Sequence, residues 1–386
     1  MRVLLAGASL QDGWVGGEPE VARLLSLGLT HAGHEVRRVA FVRARGALAS
    51  MAVVPLDNDP VAERRYHRVL EDLRPEVVIS FYDYDTSLVR ACKRSGVPVV
   101  VCAHIFWPTC PIGVMYIDGQ GDCDGTSVGK CLRHMMQSVP DSRLALPFRS
   151  LPFPAAIQVY TKFLTRGRNL LSADAIVVPS QSMQQILEST GIQGIRVIPN
   201  AVDSSQFSPR AFEPSRRRVL FPAGSATERK GLRHFVSLAR ELKPSFPDVE
   251  FVATNYPGDD AVTGQSYLER RDYLQLMGSS TIVVVPALWS EPFGMVALEA
   301  MAAGVPVVAY SSGALPEIIS DGSTGVLAPT GDLQALCRGV RMLLGSRALC
   351  ESFGRAGRER AERSFNSEIM TQQYLEVIRS VVHTSS

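Results

Sequence analysis

The chain has 386 residues, of which 46% are hydrophobic and 20% charged, and its formal net charge is +2. That length accommodates two to three ordinary domains with real cores, and the near-zero charge removes any global attraction to nucleic acid or an anionic membrane. The opening MRVLLAGASL turns polar at once and no apolar run reaches bilayer length, so the expectation is a cytoplasmic protein without an integral membrane segment, peripheral contact being left open.

In chain order, RVLLAGA (2–8) predicts a buried strand, and the glycine-rich DGWVGGE (12–18) leads into a helix from about Pro19 to Ala32. EVRRVAFV (35–42) predicts the second strand. A helix over 61–73 leads to the strand EVVISFY (76–82), and one over 85–95 leads to VPVVVCAHI (97–105). Residues 106–152 carry no clear periodicity and read as an insertion. A helix near 154–171, most simply a packed surface helix, precedes the strand ADAIVVPS (173–180); another helix then precedes IRVIPN (195–200). Residues 201–216, rich in Pro and Ser, read as a linker. The second half repeats the pattern. Strands over 217–224, 249–255, 281–287 and 305–311 alternate with helices over 231–242, 266–278 and 294–303, and helices near 332–344 and 347–363 follow. Continuous apolar strands separated by amphipathic helices mean parallel sheets covered on both faces. The fold class is therefore α/β with two doubly wound domains, 1–200 and 217–364, expected to face one another across a cleft.

The strongest local signal is SEPFGMVALEAMAAGVPVV (290–308). Glu291 and Glu299 are separated by seven residues, and Pro292, Phe293 and Gly294 make a turn ahead of a helix. Free N–H groups at that helix start, from Gly294 and Met295, suit a diphosphate. Read as isolated carboxylates, the two glutamates are equally well an acidic helix start and a solvated side chain. Lysine is rare: only Lys93, Lys130, Lys162, Lys230 and Lys243 interrupt an arginine-dominated basic set. Arg229 and Lys230 stand beside Gly231 at a helix start, where a cation opposes the helix dipole unless an anion is near.

The string 290–308 resembles the Glu-x7-Glu signature of the GT-B glycosyltransferases, specifically the retaining enzymes of family 4. GGEPEVARLLSLGLTHAGHEV (16–36), VIPNAVDSSQF (197–207), ERKG (228–231), GALPEIISDGSTGVLAP (313–329) and FNSEIMTQQYLEVIR (365–379) resemble further parts of that family. The resemblance implies two Rossmann-like domains and a final helix, 365–386, that crosses back to the first. It implies a nucleotide-sugar donor, UDP or GDP, a hexose-like unit transferred with retention, and an unidentified acceptor. It assigns Lys230 and Arg229 to the donor diphosphate together with Phe293, Gly294, Met295, Gly16 and Gly17. Glu299 is similar to the ribose-binding carboxylate, Glu291 to the donor-sugar contact, and His104 to the histidine near the reacting carbon. His104, Lys230 and Glu291 are thus the catalytic set, and no catalytic metal is expected. One departure stands out: where the family has Gly-Arg, this chain has Gly224–Ser225. The rival readings are a nucleotide-sugar epimerase of the same fold and a non-catalytic nucleotide-sugar-binding protein.

The seven cysteines, an odd number, fit a reducing compartment. Cys92, Cys102, Cys337 and Cys350 read as core fillers. Cys110, Cys123, Cys131 and His134 gather in the insertion, a set suited to tetrahedral structural zinc; the alternatives are an iron–sulfur cluster and unrelated reduced thiols. Asp83 with Asp85 reads as a helix cap, and Asp122 with Asp124 is a second Asp-x-Asp string.

Overall fold

The computed structural model describes residues 1–7, 10, 16–40, 60–82, 86–117, 119–125, 127–137, 153–207, 217–222 and 228–383. Asp83, Asp85, Gly224 and Ser225 lie outside them. The chain divides into two compact units, one of Met1–Pro199 with Met370–Ser386 and one of Asn200–Ile369.

The first unit runs β1 (Arg2–Ala6), α1 (Gly17–His31), β2 (Glu35–Val39), α2 (Pro60–Leu73), β3 (Val77–Tyr82), α3 (Ser87–Ser95) and β4 (Val99–Ala103). It continues through β5 (Tyr116–Ile117), β6 (Gly121–Asp122), α4 (Val128–Gln137), α5 (Phe153–Leu170), β7 (Ala175–Val178), α6 (Gln181–Ser189) and β8 (Ile195–Val197). Six parallel strands stand in the order β2-β1-β3-β4-β7-β8. All five residues of β4 are buried, as expected of a strand covered on both faces, whereas edge strand β2 is largely exposed. Local chemistry sets the helix ends. Ser180 accepts the Met183 N–H to start α6, and Gly96, at φ 67°, stops α3 in the left-handed region.

The insertion is more regular than its sequence. β5 and β6 form a small antiparallel ladder, Tyr116 opposite Asp122, and a ten-residue helix, α4, follows. Two-residue strands are too short to show a period. A second difference falls on α5, whose inner residues Val159, Phe163 and Leu170 are buried while Phe153, Ile157 and Leu164 are exposed.

The second unit runs β9 (Arg217–Phe221), a 3-10 turn at Glu228–Lys230, α7 (Leu232–Leu242), β10 (Val249–Thr254), β11 (Thr263–Gln265), α8 (Arg270–Gly278) and β12 (Ile282–Val285). Then come α9 (Met295–Ala302), β13 (Val307–Tyr310), α10 (Leu315–Ile318), β14 (Gly325–Ala328), α11 (Leu333–Leu344) and α12 (Arg347–Ser364). The parallel order is β11-β10-β9-β12-β13-β14. The short pieces β11, α10 and β14 were not legible in the sequence, being three or four residues each. Phe235 of α7 stacks on Phe221 and meets Phe251 edge-on in the core. Buried aromatics of this size dominate the burial energy of such a layer.

The last helix, α13 (Ser367–His383), groups with the first unit from Met370 onward. Gly28 of α1 leaves room for it, because a Cβ there would run into the Thr371 side chain. The Tyr374 hydroxyl donates to the Cys102 sulfur of β4 at 3.3 Å. This is the crossing back to the first domain that the resemblance implies. Among the described residues no helix is long and apolar enough to cross a membrane.

Candidate functional site

In the second unit the strand order reverses between β9 and β12. From β9 the chain steps out to β10 and β11, then returns to add β12 on the other side. Segments leaving the carboxyl ends of those two neighbours diverge, and ligands of open α/β sheets bind in the crevice so formed. Lys230 stands on the segment after β9. Glu291 and Gly294 stand on the one after β12.

The two segments are joined by specific contacts. Leu288 N–H donates to the Arg229 carbonyl at 2.8 Å. Gly231, at φ 82°, caps α7 with its α-carbon against the Pro286 carbonyl, leaving no space for a side chain. Lys230 Nζ then reaches Glu291 Oε2 at 2.7 Å, and Trp289 Nε1 donates to the same oxygen at 2.8 Å. The Lys230 ammonium also lies 4.8 Å from the Trp289 ring centroid, with the Arg229 guanidinium at 4.4 Å. Arg229 is buried, not a solvated helix start. The anion that the sequence argument demanded beside Lys230 is therefore present within the chain, as Glu291. A loop after β13 braces it: Ala314 N–H donates to the Glu291 carbonyl at 2.9 Å, and Gly313 sits so close to the Glu291 backbone that no other residue fits.

Gly294, at φ 107°, is the N-cap of α9, and its α-carbon faces Leu315. The first N–H groups of α9 have no intrahelical partner, as at any helix start. The Phe293 ring turns away into packing, edge-on to Phe365 with centroids 6.1 Å apart, so its contribution to an anion site is its backbone. Glu299 lies inside α9 and is buried, not solvated. Its Oε1 accepts from Arg270 at 2.5 Å and its Oε2 from the Tyr273 hydroxyl at 2.8 Å. Burial, then the Glu299 charge, pushes the Tyr273 pKa up, so the phenol remains a donor. Each carboxylate oxygen has a second lone pair for a ligand hydroxyl.

Sequence reasoning missed Trp289, Arg270 and Tyr273. Trp289, one of three tryptophans, directly precedes Ser290 and Glu291, which was a usable signal. Arg270 and Tyr273 share a face of α8, but nothing in their spacing pointed at Glu299, 26 residues beyond Tyr273.

The first unit reverses strand order between β1 and β3. Gly16 and Gly17 follow β1. Gly16 is the N-cap of α1, and among the described residues a Cβ there would meet only Pro19 Cδ, at 3.8 Å. His104 follows β4 directly and stacks on Phe81 of β3, with centroids 5.8 Å apart and planes 16° from parallel. Surrounding protein pushes its pKa down to about 4 by desolvation, although some of its surface remains accessible. At neutral pH it is an uncharged imidazole, a hydrogen-bonding group and not a counter-ion.

Cys110, Cys123, Cys131 and His134 line one small cavity in the same unit, with Lys130 and Met115. Cys131 and His134 lie three apart on α4, hence on one face. The Cys131 thiol is pushed up to about 11, first by burial and next by charge on Cys110, with Cys123 contributing less. Burial likewise raises Cys110, against backbone hydrogen bonds from residues 112–115 that favour its thiolate. Among the described residues no group of three or more His, Cys, Asp or Glu already stands in a metal-holding arrangement. Asp124 is engaged with Lys130 in an ion pair. Cys92, Cys102, Cys337 and Cys350 are buried in the two cores.

The profile of glycosyl transferases group 1 matches residues 203–360, and that of glycosyltransferase family 4 matches 15–206. The α-maltose-1-phosphate synthase of Mycobacterium tuberculosis is 28% identical over 254 residues, covering 55% of this chain and 64% of that protein. The chain thus spans less than two thirds of that relative. The structure of sucrose-phosphate synthase from Thermosynechococcus elongatus superposes with a TM-score of 0.70 at 18% identity, over 99% of both chains. Anabaena Alr3699/HepE, solved in complex with UDP-glucose, superposes at 0.65 and 17% identity over 98% of this chain and 100% of that one. These likenesses show the GT-B fold.

Proposed function

Taking the chain as what its two matched domains make it, a GT-B glycosyltransferase, we propose that it transfers a hexose unit from a UDP- or GDP-sugar to an acceptor nucleophile with retention of the anomeric configuration. The observation that carries the reading is the Lys230–Glu291–Trp289 cluster at the strand-order reversal of the second unit, with the start of α9 beside it. A cation, a carboxylate and helix N–H groups in one crevice are what a sugar diphosphate requires.

In this reading Lys230, with Arg229 behind it, and the N–H groups at Gly294 and Met295 hold the diphosphate, so no metal is needed there. Glu291 contacts the sugar and Glu299 the ribose. The C1–oxygen bond to the diphosphate breaks while the acceptor oxygen bonds C1 from the same face, and the acceptor proton passes to the departing phosphate oxygen. Charge grows on that phosphate in the transition state, where Lys230 is most effective. His104, with Gly16 and Gly17, is assigned to the acceptor-side unit as a neutral hydrogen-bonding group for a hydroxyl.

The UDP-glucose complex of the structural neighbour makes UDP-hexoses the first donors to test. Thermal shift against UDP, GDP and ADP identifies the base, since a ligand at a hundred times its Kd stabilises by about 2.7 kcal/mol. Nucleotide release from the matching donor, followed by proton NMR of the product's anomeric centre, tests the reaction. An inverted product overturns retention, and no stabilisation by any nucleotide overturns the donor site.

A further inference from the structure

We propose that Cys110, Cys123, Cys131 and His134 bind one zinc ion in a closed tetrahedral site that organises the insertion between β4 and α5. Four residues spread over a 25-residue stretch line a single small cavity, and they are three thiols and one imidazole.

The backbone prepares each ligand separately. Cys110 N–H donates to the Phe106 carbonyl at 2.7 Å, and Gly113 N–H returns to the Cys110 carbonyl at 3.0 Å, wrapping a tight turn about the first thiol. Gly113, at φ 75°, lies against the Trp107 ring with no room for a side chain, which locks that turn. Cys123 N–H donates to the Met115 carbonyl at 2.7 Å, so the second thiol is carried past the β5–β6 ladder and back to the first. Cys131 and His134 come together because α4 places residues three apart on one face. Fixed backbones leave side-chain rotation about staggered wells as the motion that closes four donors on an ion.

The chemistry favours zinc among soft-ligand metals. Three cysteines and one histidine are a regular structural zinc set, whereas the common iron–sulfur clusters use four thiolates. Three thiolates around a divalent ion carry one surplus negative charge, and Lys130, which lines the same cavity, is shared between that charge and Asp124. Among its described residues the insertion holds a ladder of two residue pairs and one helix, and a stretch of this length needs something further to hold it. Four protein ligands leave no open coordination position, so the site is structural and not catalytic.

The test begins with the whole chain, expressed without added zinc and measured for zinc, iron and thiols. One zinc per chain, with three of the seven thiols released to a thiol reagent only as zinc is released, is the expected result. Metal-free protein with all three thiols titrating freely, an iron-and-sulfide chromophore, or a disulfide within the set each overturns the assignment. To keep the test independent of folding defects in cysteine variants, His134→Cys and His134→Ala are compared by cobalt titration of the apoprotein. His134→Cys is expected to keep one cobalt with thiolate-to-cobalt absorption. His134→Ala is expected to weaken cobalt binding on the order of a hundredfold. Equal cobalt affinity in wild type and His134→Ala overturns the histidine ligand.

Discussion

The two units share a parallel six-stranded plan and differ in how they hold charge. In the second unit both candidate carboxylates already have partners: Glu291 with Lys230 and Trp289, Glu299 with Arg270 and Tyr273. In the first, the candidate group is a single imidazole kept neutral against Phe81. Held charges need no reorganisation when a charged ligand forms or leaves, which is the arrangement a departing diphosphate exploits. A neutral imidazole suits hydroxyls instead. On the proposed function, the contrast gives charge stabilisation to one half of the chain and hydroxyl recognition to the other.

Lys230→Ala is the sharpest way to break that division. Turnover of the donor is expected to fall about 10²–10³-fold, the usual loss for one transition-state electrostatic contact. Stability should fall by about 2–3 kcal/mol, because Lys230 and Glu291 are both partly buried. Near-normal kcat in a folded variant removes Lys230 from the chemistry.

Glu299→Ala comes next. It strips Arg270 and Tyr273 of a buried acceptor, so urea denaturation should show a loss of about 2–3 kcal/mol, less than a fully buried pair because Arg270 is partly exposed. Glu299→Gln keeps an acceptor and separates folding from binding. Calorimetry with the nucleoside diphosphate alone should show weaker binding for Glu299→Gln at near-native stability, and unchanged affinity would withdraw the ribose contact.

Glu291→Gln sharpens the comparison in the opposite direction. Neutralising Glu291 releases Lys230 for phosphate, so the free diphosphate is expected to bind more tightly by about tenfold, roughly 1.4 kcal/mol. Donor turnover should fall in the same variant. If affinity and turnover fall together, Glu291 is part of diphosphate binding and the two glutamates do not divide the ligand as proposed.

The last comparison concerns pH. His104 has a folded pKa of about 4 against an ordinary value of 6.5. Above 6.5 neither folded nor unfolded chain binds the proton, and His104 contributes no pH dependence. Below 6.5 the unfolded chain binds it first, so stability falls with pH until the folded pKa is passed near 4. His104→Gln removes that share, at most about 1.4 kcal/mol per pH unit. His34 and His234 are shifted in the same direction by burial and retain some slope in the variant. Urea midpoints at pH 7 and pH 5 compare the two proteins; parallel losses would mean His104 is not held neutral.

Most of the architecture was legible along the chain. VVVCA, IVVV and VVAY are continuous apolar runs, and only strands covered on both faces use them. Glycines at 231 and 294, both at positive φ, punctuated the helix starts where chemistry was expected. What escaped were elements too short for a period to develop, such as β5, β6 and α10, and the identity of partners. How Glu299 is held depends on Arg270 and Tyr273 of α8 reaching it on α9, and no spacing within either helix encodes that. The same holds for Lys230. Its rarity and its glycine neighbour marked it in the sequence, but its anion arrives 61 residues later, from the far side of the strand-order reversal. Periodicity is a local property set by backbone geometry, and it was read locally. Pairing of charges is set by which strand ends are neighbours in the sheet, and the order of strands exists only once the sheet has folded.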